Sequence, residues 1–372
     1  MPKRLELVLM TGGDETTPEE AMMTEAWRAA TLDWLDRAAR VDGIGRMLVA
    51  TNSERFAARV RASYPDAEVA LDRGTFHFGR RLRELVTAYG LARPFYAGGG
   101  SGIFLTHDDI RWVAETVAGG ENRLVANNFY SSDLVAFTPA EAIYRVEPPD
   151  TDNDLAWRLA RQAGLEALAL PPGTASLFDL DTPVDLMICL AHPACPPRLR
   201  ACLEGLDLDL TPVMRALDVL RKPGARVGLA GRVGAAARAY AEEHTPCRVL
   251  VLAEERGMRA SGRMDRGEVR TILGHFMAER GPRELFQTLA EVADLVLLDS
   301  RVLLSHFGKW PTNTDRYRSD LLRAEGIADP TLKALTEAAA EAPIPVLLGG
   351  HSLVSGGLYA LVDLAMRADT QK

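Results

Sequence analysis

Short runs of apolar residues alternate with longer stretches of helical period along this chain. The first run, Leu5–Met10, leads into Thr11-Gly12-Gly13-Asp14 and reads as a strand ending in a glycine turn. Residues 18–40 predict a helix with Trp27, Leu32, Trp34 and Leu35 on its apolar side. Met47–Ala50, Pro94–Ala97 and Arg123–Ala126 predict further strands, with helices over 54–64, 79–90 and 107–118. A helix is also expected over 153–163, and Pro183 fits the first turn of another, capped by Thr182. Residues 193–222 read as two helices with no strand between them. Alternation then restarts, with strands at Arg226–Ala230, Arg248–Ala253, Leu295–Leu298 and Ile344–Leu348. The intervening helices fall over 233–243, 268–293, 331–341 and 353–367, the second interrupted at Gly281-Pro282. Residues 306–320 read as a long connection, helical only after Thr314.

Strands alternating with helices predict an α/β chain with mostly parallel sheets. The break at 193–222 divides it into a first domain, 1–192, a helical junction, and a smaller Rossmann-like domain, 223–372. A length of 372 residues suits two domains. The net charge of −8 argues against a dedicated nucleic-acid binder. Pro343–Leu361 approaches membrane length without a charge, but two glycine pairs and His351 break it, so no membrane partner is expected. The four cysteines form no C-x-x-C, which points to reduced thiols and a cytoplasmic setting.

The segment Phe178-Asp179-Leu180-Asp181-Thr182-Pro183-Val184-Asp185-Leu186 resembles a D-x-D-T-P-x-D-L motif. That motif closes the domain in nucleotidyltransferases of the molybdenum-cofactor guanylyltransferase type and in the 2-phospholactate guanylyltransferases. Over residues 4–190 the order of features is similar too, from the strand into Gly12-Gly13 to the strand into Gly98–Gly102. The resemblance implies a nucleotidyltransferase-like first domain, Rossmann-like and of GT-A type. It implies a nucleotide against Gly12, Gly13, Gly99 and Gly100, and Mg²⁺ held by Asp179 and Asp181. Two departures stand out. The loop Thr11–Glu20 has carboxylates where the family has an Arg and a Lys for the triphosphate, and Gly100 stands where the family has a metal-binding Asp. The fold is expected to persist with its chemistry altered or lost. Apart from the resemblance, Asp179, Asp181 and Asp185 also read as a capping and turn cluster.

In the second half no family pattern is evident, and the strand ends carry the chemistry. They read Gly231-Arg232, Glu254-Glu255-Arg256, Asp299-Ser300-Arg301 and Gly349-Gly350-His351-Ser352. Parallel strands bring such ends to one rim, where ligands of open α/β sheets bind. Arg232, Arg256, Arg259, Arg301 and Ser352 are candidate ligands for an anion, and the turn before Ser352 a candidate cradle at a helix start. Glu254, Asp299 and His351 are candidate acid–base groups. Solvated loops are the plain alternative for each residue taken singly. Trp310 reads either as a ligand cover or as a plug at the sheet edge. A serine-hydrolase elbow is excluded, because Val354 replaces the required Gly and no His follows His351.

Together these features predict an enzyme acting on a nucleotide or phosphorylated small molecule, nucleotidyl transfer included. The alternatives are a non-catalytic nucleotide or metabolite sensor, or a partner in a biosynthetic complex, built on a degenerate transferase fold. An oligomer is compatible with either.

Overall fold

The apolar runs become strands because both faces of a parallel sheet are covered, so successive residues can all be apolar. The computed structural model describes residues 4–367. Seven strands form the first sheet: β1 Leu5–Met10, β2 Ile44–Thr51, β3 Glu68–Leu71, β4 Pro94–Gly98, β5 Arg123–Ala126, β6 Leu134–Thr138 and β7 Glu166–Ala169. Their order is β3-β2-β1-β4-β6-β5-β7. All neighbours are parallel except β6, which runs antiparallel to β4 and β5. The second sheet is wholly parallel: β8 Arg226–Gly231, β9 Arg248–Ala253, β10 Leu295–Asp299 and β11 Val346–Gly349, in the order β11-β10-β8-β9. The chain is thus mixed α/β with two parallel-rich sheets.

Contacts divide the described chain into two compact units. Residues 4–14, 24–177 and 196–202 make the first; residues 15–23, 178–195 and 203–367 make the second. The segment 178–195, with its Asp179–Leu186 motif, therefore packs with the second sheet.

In the first unit, Trp34 and Phe95 meet edge to face at 5.9 Å in a core from which water is excluded. The glycine loops after β1 and β4 leave adjacent strands where the strand order reverses. The loop after β4 is pinned from inside. Trp34 Nε1 donates to Ser101 O at 2.7 Å, and Arg37 Nη1 donates to the carbonyls of Gly102, Ile103 and Leu105 at 2.7–3.1 Å. Burial pulls the Arg37 guanidinium down to about 10. Gly102 has φ +62°, and a Cβ there would lie 2.6 Å from the Trp34 ring. Only glycine meets both demands.

In the second unit the helix expected only after Thr314 is present at Asn313–Asp320, but the connection before it is shorter than expected. Helices Ser300–His306 and Asn313–Asp320 leave only a short link, and the Thr312 hydroxyl caps the second by accepting from Asp315 N. The last helix also starts later than expected, at Gly356, so the turn at Gly349–Ser352 is not a helix N-terminus. Among the described residues no helix is long and apolar enough to cross a membrane.

Candidate functional site

In the second sheet the strand order reverses between β8 and β10, the position where ligands of open α/β sheets collect. Gly231 ends β8 with φ +108°, and a Cβ on it would come within 2.5 Å of Asp299 Cβ. This close approach brings Arg232 onto Asp299, with Nε–Oδ2 at 2.5 Å and Nη2–Oδ1 at 3.1 Å. Asp299 is fully buried. Burial alone would raise its pKa, but Arg232 outweighs that and holds the carboxyl ionised. The crevice at the reversal is therefore filled by an internal ion pair.

Arg301 is likewise spoken for. Its guanidinium forks onto Asp320 at 2.5 and 2.6 Å and also reaches Ser300 Oγ and Gly349 O. Asp320 lies on the helix Asn313–Asp320, and both side chains are buried. The pair fixes that helix beside β10 and β11.

The turn after β11 receives the Asp179–Leu186 motif. Asp185 Oδ2 accepts from Thr182 N, Thr182 Oγ1 and Ser352 Oγ at 2.7–2.8 Å, and from Asp181 N at 3.2 Å. Glycine is needed at 349 because a Cβ would lie 2.9 Å from Val184 Cγ1. Ser352 is thereby turned inward. Burial, then the charge of Asp181, pushes the Asp185 carboxyl up to about 7 despite these donors. Oδ1 of Asp185 is buried without a hydrogen-bond partner.

What remains at this rim is cationic. Arg256, Arg259 and Arg316 have no carboxylate partner within ion-pair distance among the described residues. Arg259 and Arg316 both lie against Trp310, with guanidinium carbons 5.0 and 4.4 Å from the ring centre. Loss of water, then the charge of Arg301, pulls Arg316 down to about 10. Arg259 is lowered by the same desolvation and by Arg232. Arg256 lies over Gly234, at the start of the helix Ala235–His244. Burial and Arg232 drive His351 down to about 4, so its imidazole is neutral. Asp181 is exposed and close enough to bear electrostatically on His351, Arg259 and Tyr317.

Glu254 stands apart, its Oε1 accepting from Ile272 N at 2.7 Å at the start of the helix Ile272–Arg280. In the first unit, Gly12 is exposed while Gly99 and Gly100 are buried. Gly13 and Asn52 hold each other, Asn52 Nδ2 donating to Gly13 O at 3.0 Å. A cleft of about 470 Å³ in that unit is lined by Glu25, Arg28, Arg55, Phe56 and Arg59, but Glu25 Oε1 already accepts from Arg28 and Arg55. Asp179 Oδ1 accepts from Leu180 N. No group of three His, Cys, Asp or Glu side chains suited to a metal occurs among the described residues.

Arg316 and Asp320 carry weight that the linear pattern did not assign to them. The signal present was the Arg and Asp spacing after Thr314, which on a helix puts 316 and 320 on one face.

No family model matches this sequence, and no curated protein matches it. Among solved structures, one from Desulfovibrio desulfuricans, named as a nucleotide-diphospho-sugar transferase, is similar at 14% identity and a TM-score of 0.40. That overlay covers 56% of this chain and 100% of the other. A nucleotidyl transferase from Methanothermobacter thermautotroptrophicus overlays at 14% identity and a TM-score of 0.35, covering 47% of this chain and 90% of its own. A cytidylyltransferase from Leptospira borgpetersenii overlays at 10% identity and 0.35, covering 45% and 76%.

Proposed function

We propose that this chain is an enzyme acting on a phosphorylated small molecule, nucleotides included, whose anionic group is held in the second unit by Arg256, Arg259 and Arg316. One observation carries the reading. Two guanidiniums lie against one tryptophan ring with no carboxylate within ion-pair distance among the described residues, and loss of water together with the neighbouring Arg232 and Arg301 makes their protonation harder. An anion placed there relieves that repulsion and gains charge-assisted hydrogen bonds. Uncharged His351, with the exposed Asp181 carboxylate in its field, offers a hydrogen-bonding ring to the substrate beside the anion. Arg232, Arg301 and Ser352 position this surface through Asp299, Asp320 and Asp185.

Nucleotidyl transfer is the finer form of the proposal, supported by the Asp179–Leu186 motif. A sensor without turnover is favoured by a different observation: Gly100 in place of a metal-binding Asp and a loop Thr11–Glu20 without Arg or Lys.

Calorimetric titration of the full chain with pyrophosphate and with the nucleoside triphosphates, with and without Mg²⁺, tests the anion site. Binding is expected, with a change in Trp310 fluorescence that disappears in Trp310→Phe. No binding of any of these probes would sink the proposal. Binding with release of pyrophosphate from a triphosphate supports the enzyme; binding without turnover supports the sensor.

A further inference from the structure

Each sheet has two edges, and three of the four are blunted. The edge strand β3 has four residues and carries Glu68, paired to Arg46; β7 has four and carries Glu166, paired to Arg123. The other edge strand, β11, is buried at all four positions. Strand β9 has six residues, Arg248–Ala253, with no charge, proline or glycine from Val249 to Ala253. Proteins normally guard a long apolar edge, since its unpaired backbone groups invite another strand.

The backbone phase of that edge is fixed. Arg248 N donates to Ala225 O at 2.8 Å and Glu254 N to Gly231 O at 2.9 Å, so even-numbered residues face β8. The N–H and C=O groups of Val249, Val251 and Ala253 face outward, without a hydrogen-bond partner among the described residues. Leu250 is 39% exposed on the same strand.

We infer that β9 pairs with β9 of a second copy of this chain, antiparallel about a two-fold axis through Val251. The four-stranded sheet then continues into an eight-stranded one. Parity leaves few registers, because outward-facing residues must lie opposite one another. With Val251 on the axis, Val249 bonds to Ala253 and Val251 to its own copy, and all the outward groups are satisfied. The same register sets Leu250 opposite Leu252 and Arg248 opposite Glu254, twice. A slip of two residues puts Arg248 against Leu252 in one direction and Arg256 in the other. Only the register through Val251 joins opposite charges, and this complementarity selects a second copy as the occupant.

Sedimentation equilibrium of the full chain over a concentration series tests this. A monomer–dimer equilibrium is expected, with amide exchange at Val249, Val251 and Ala253 slowing as the dimer fills. Leu250→Lys, on the exposed face, should abolish dimerisation while leaving the melting temperature of the monomer near that of the native chain. Arg248→Glu and Glu254→Arg should each weaken the dimer about tenfold or more by setting like charges opposite, and mixing the two variants should restore it. Glu254 also caps a helix, so the Leu250→Lys result stands if Glu254→Arg fails to fold. A monomer at every concentration overturns the proposal. So does a dimer indifferent to Leu250→Lys, or one in which the three amides exchange freely.

Discussion

Ser352 Oγ donates to Asp185 Oδ2 at 2.7 Å, joining residues 167 apart in the chain. That one carboxyl oxygen collects the cap of the helix Pro183–Ala191 and the turn after β11. Asp185→Ala leaves several buried donors without an acceptor and should lower stability by about 2–4 kcal/mol. Asp185→Asn keeps an accepting oxygen in place and should lose under about 1 kcal/mol. Urea unfolding midpoints of the two variants check the difference; equal losses would mean the charge, not the acceptor, matters.

The same carboxyl and His351 should pull stability in opposite directions with pH. Asp185 has its pKa raised from 3.8 to about 7, so between those values the native state holds more protons than the unfolded chain. Its contribution is present below pH 4 and lost as pH rises through 7. His351 is lowered from 6.5 to about 4; there the unfolded chain holds more protons, and stability is lost as pH falls through that window. Between pH 4.5 and 6 the two slopes, each roughly 1.4 kcal/mol per pH unit, oppose each other. Melting temperatures over that range should fall with rising pH in His351→Gln and rise in Asp185→Asn. Parallel curves for both variants and the native chain would refute the opposition.

Arginines at this rim divide by their partners. Arg301→Ala strands the buried Asp320 carboxylate and should cost about 3–5 kcal/mol of stability. Arg259→Ala and Arg316→Ala strand no buried carboxylate, Arg316 donating only to Thr312 O and Asn313 Oδ1 on its own helix; they should cost under about 1 kcal/mol of stability and weaken pyrophosphate binding by about tenfold or more each. Affinity retained in the Arg259→Ala, Arg316→Ala double variant would move the anion elsewhere.

Gly102→Ala should destabilise the first unit by at least about 2 kcal/mol, combining positive φ with a clash against Trp34. Pyrophosphate binding in the second unit should be unaffected. A well-folded Gly102→Ala of native stability would show that the loop after β4 yields more readily than its Arg37 and Trp34 hydrogen bonds indicate.

Long apolar strands and amphipathic helices were legible in the sequence because burial imposes their period. Leu5–Met10 and Leu295–Asp299 are such strands, and 107–118 such a helix, started by the Thr106–Asp109 capping box. Strands β3, β6 and β7 were not read from the sequence: β3 and β7 are four residues with a charge among them, which carries too little apolar signal, and β6, though apolar and buried, follows β5 with no helix between them to mark it off. At the candidate site, the sequence placed Arg232, Arg259, Arg301, Asp299, Ser352 and His351 at strand ends. It could not say which of these face one another. Arg232 and Asp299 lie 67 residues apart, Arg301 and Asp320 only 19, and no local pattern marks either pair. Nor does linear order reveal that Asp181, from a motif read as the close of the first domain, belongs with the second sheet.

The second unit is gathered from three separated stretches, and this bears on how the chain matures during synthesis. Thr17 Oγ1 meets Thr314 Oγ1 at 2.8 Å and Glu19 meets Arg318 at 2.9 Å, across 297 and 299 residues. Such closures come late, since the loop must be drawn shut before the contact repays it. The early residues 15–23 leave the ribosome long before their partners exist. Residues 24–177, by contrast, hold nearly all of the first unit's own sheet and can condense while the rest is still being translated. A stall or cleavage after residue 202 would therefore yield a folded seven-stranded body trailing two unsatisfied segments, a species that chaperones and proteases would recognise by its exposed apolar helix Pro183–Ala191.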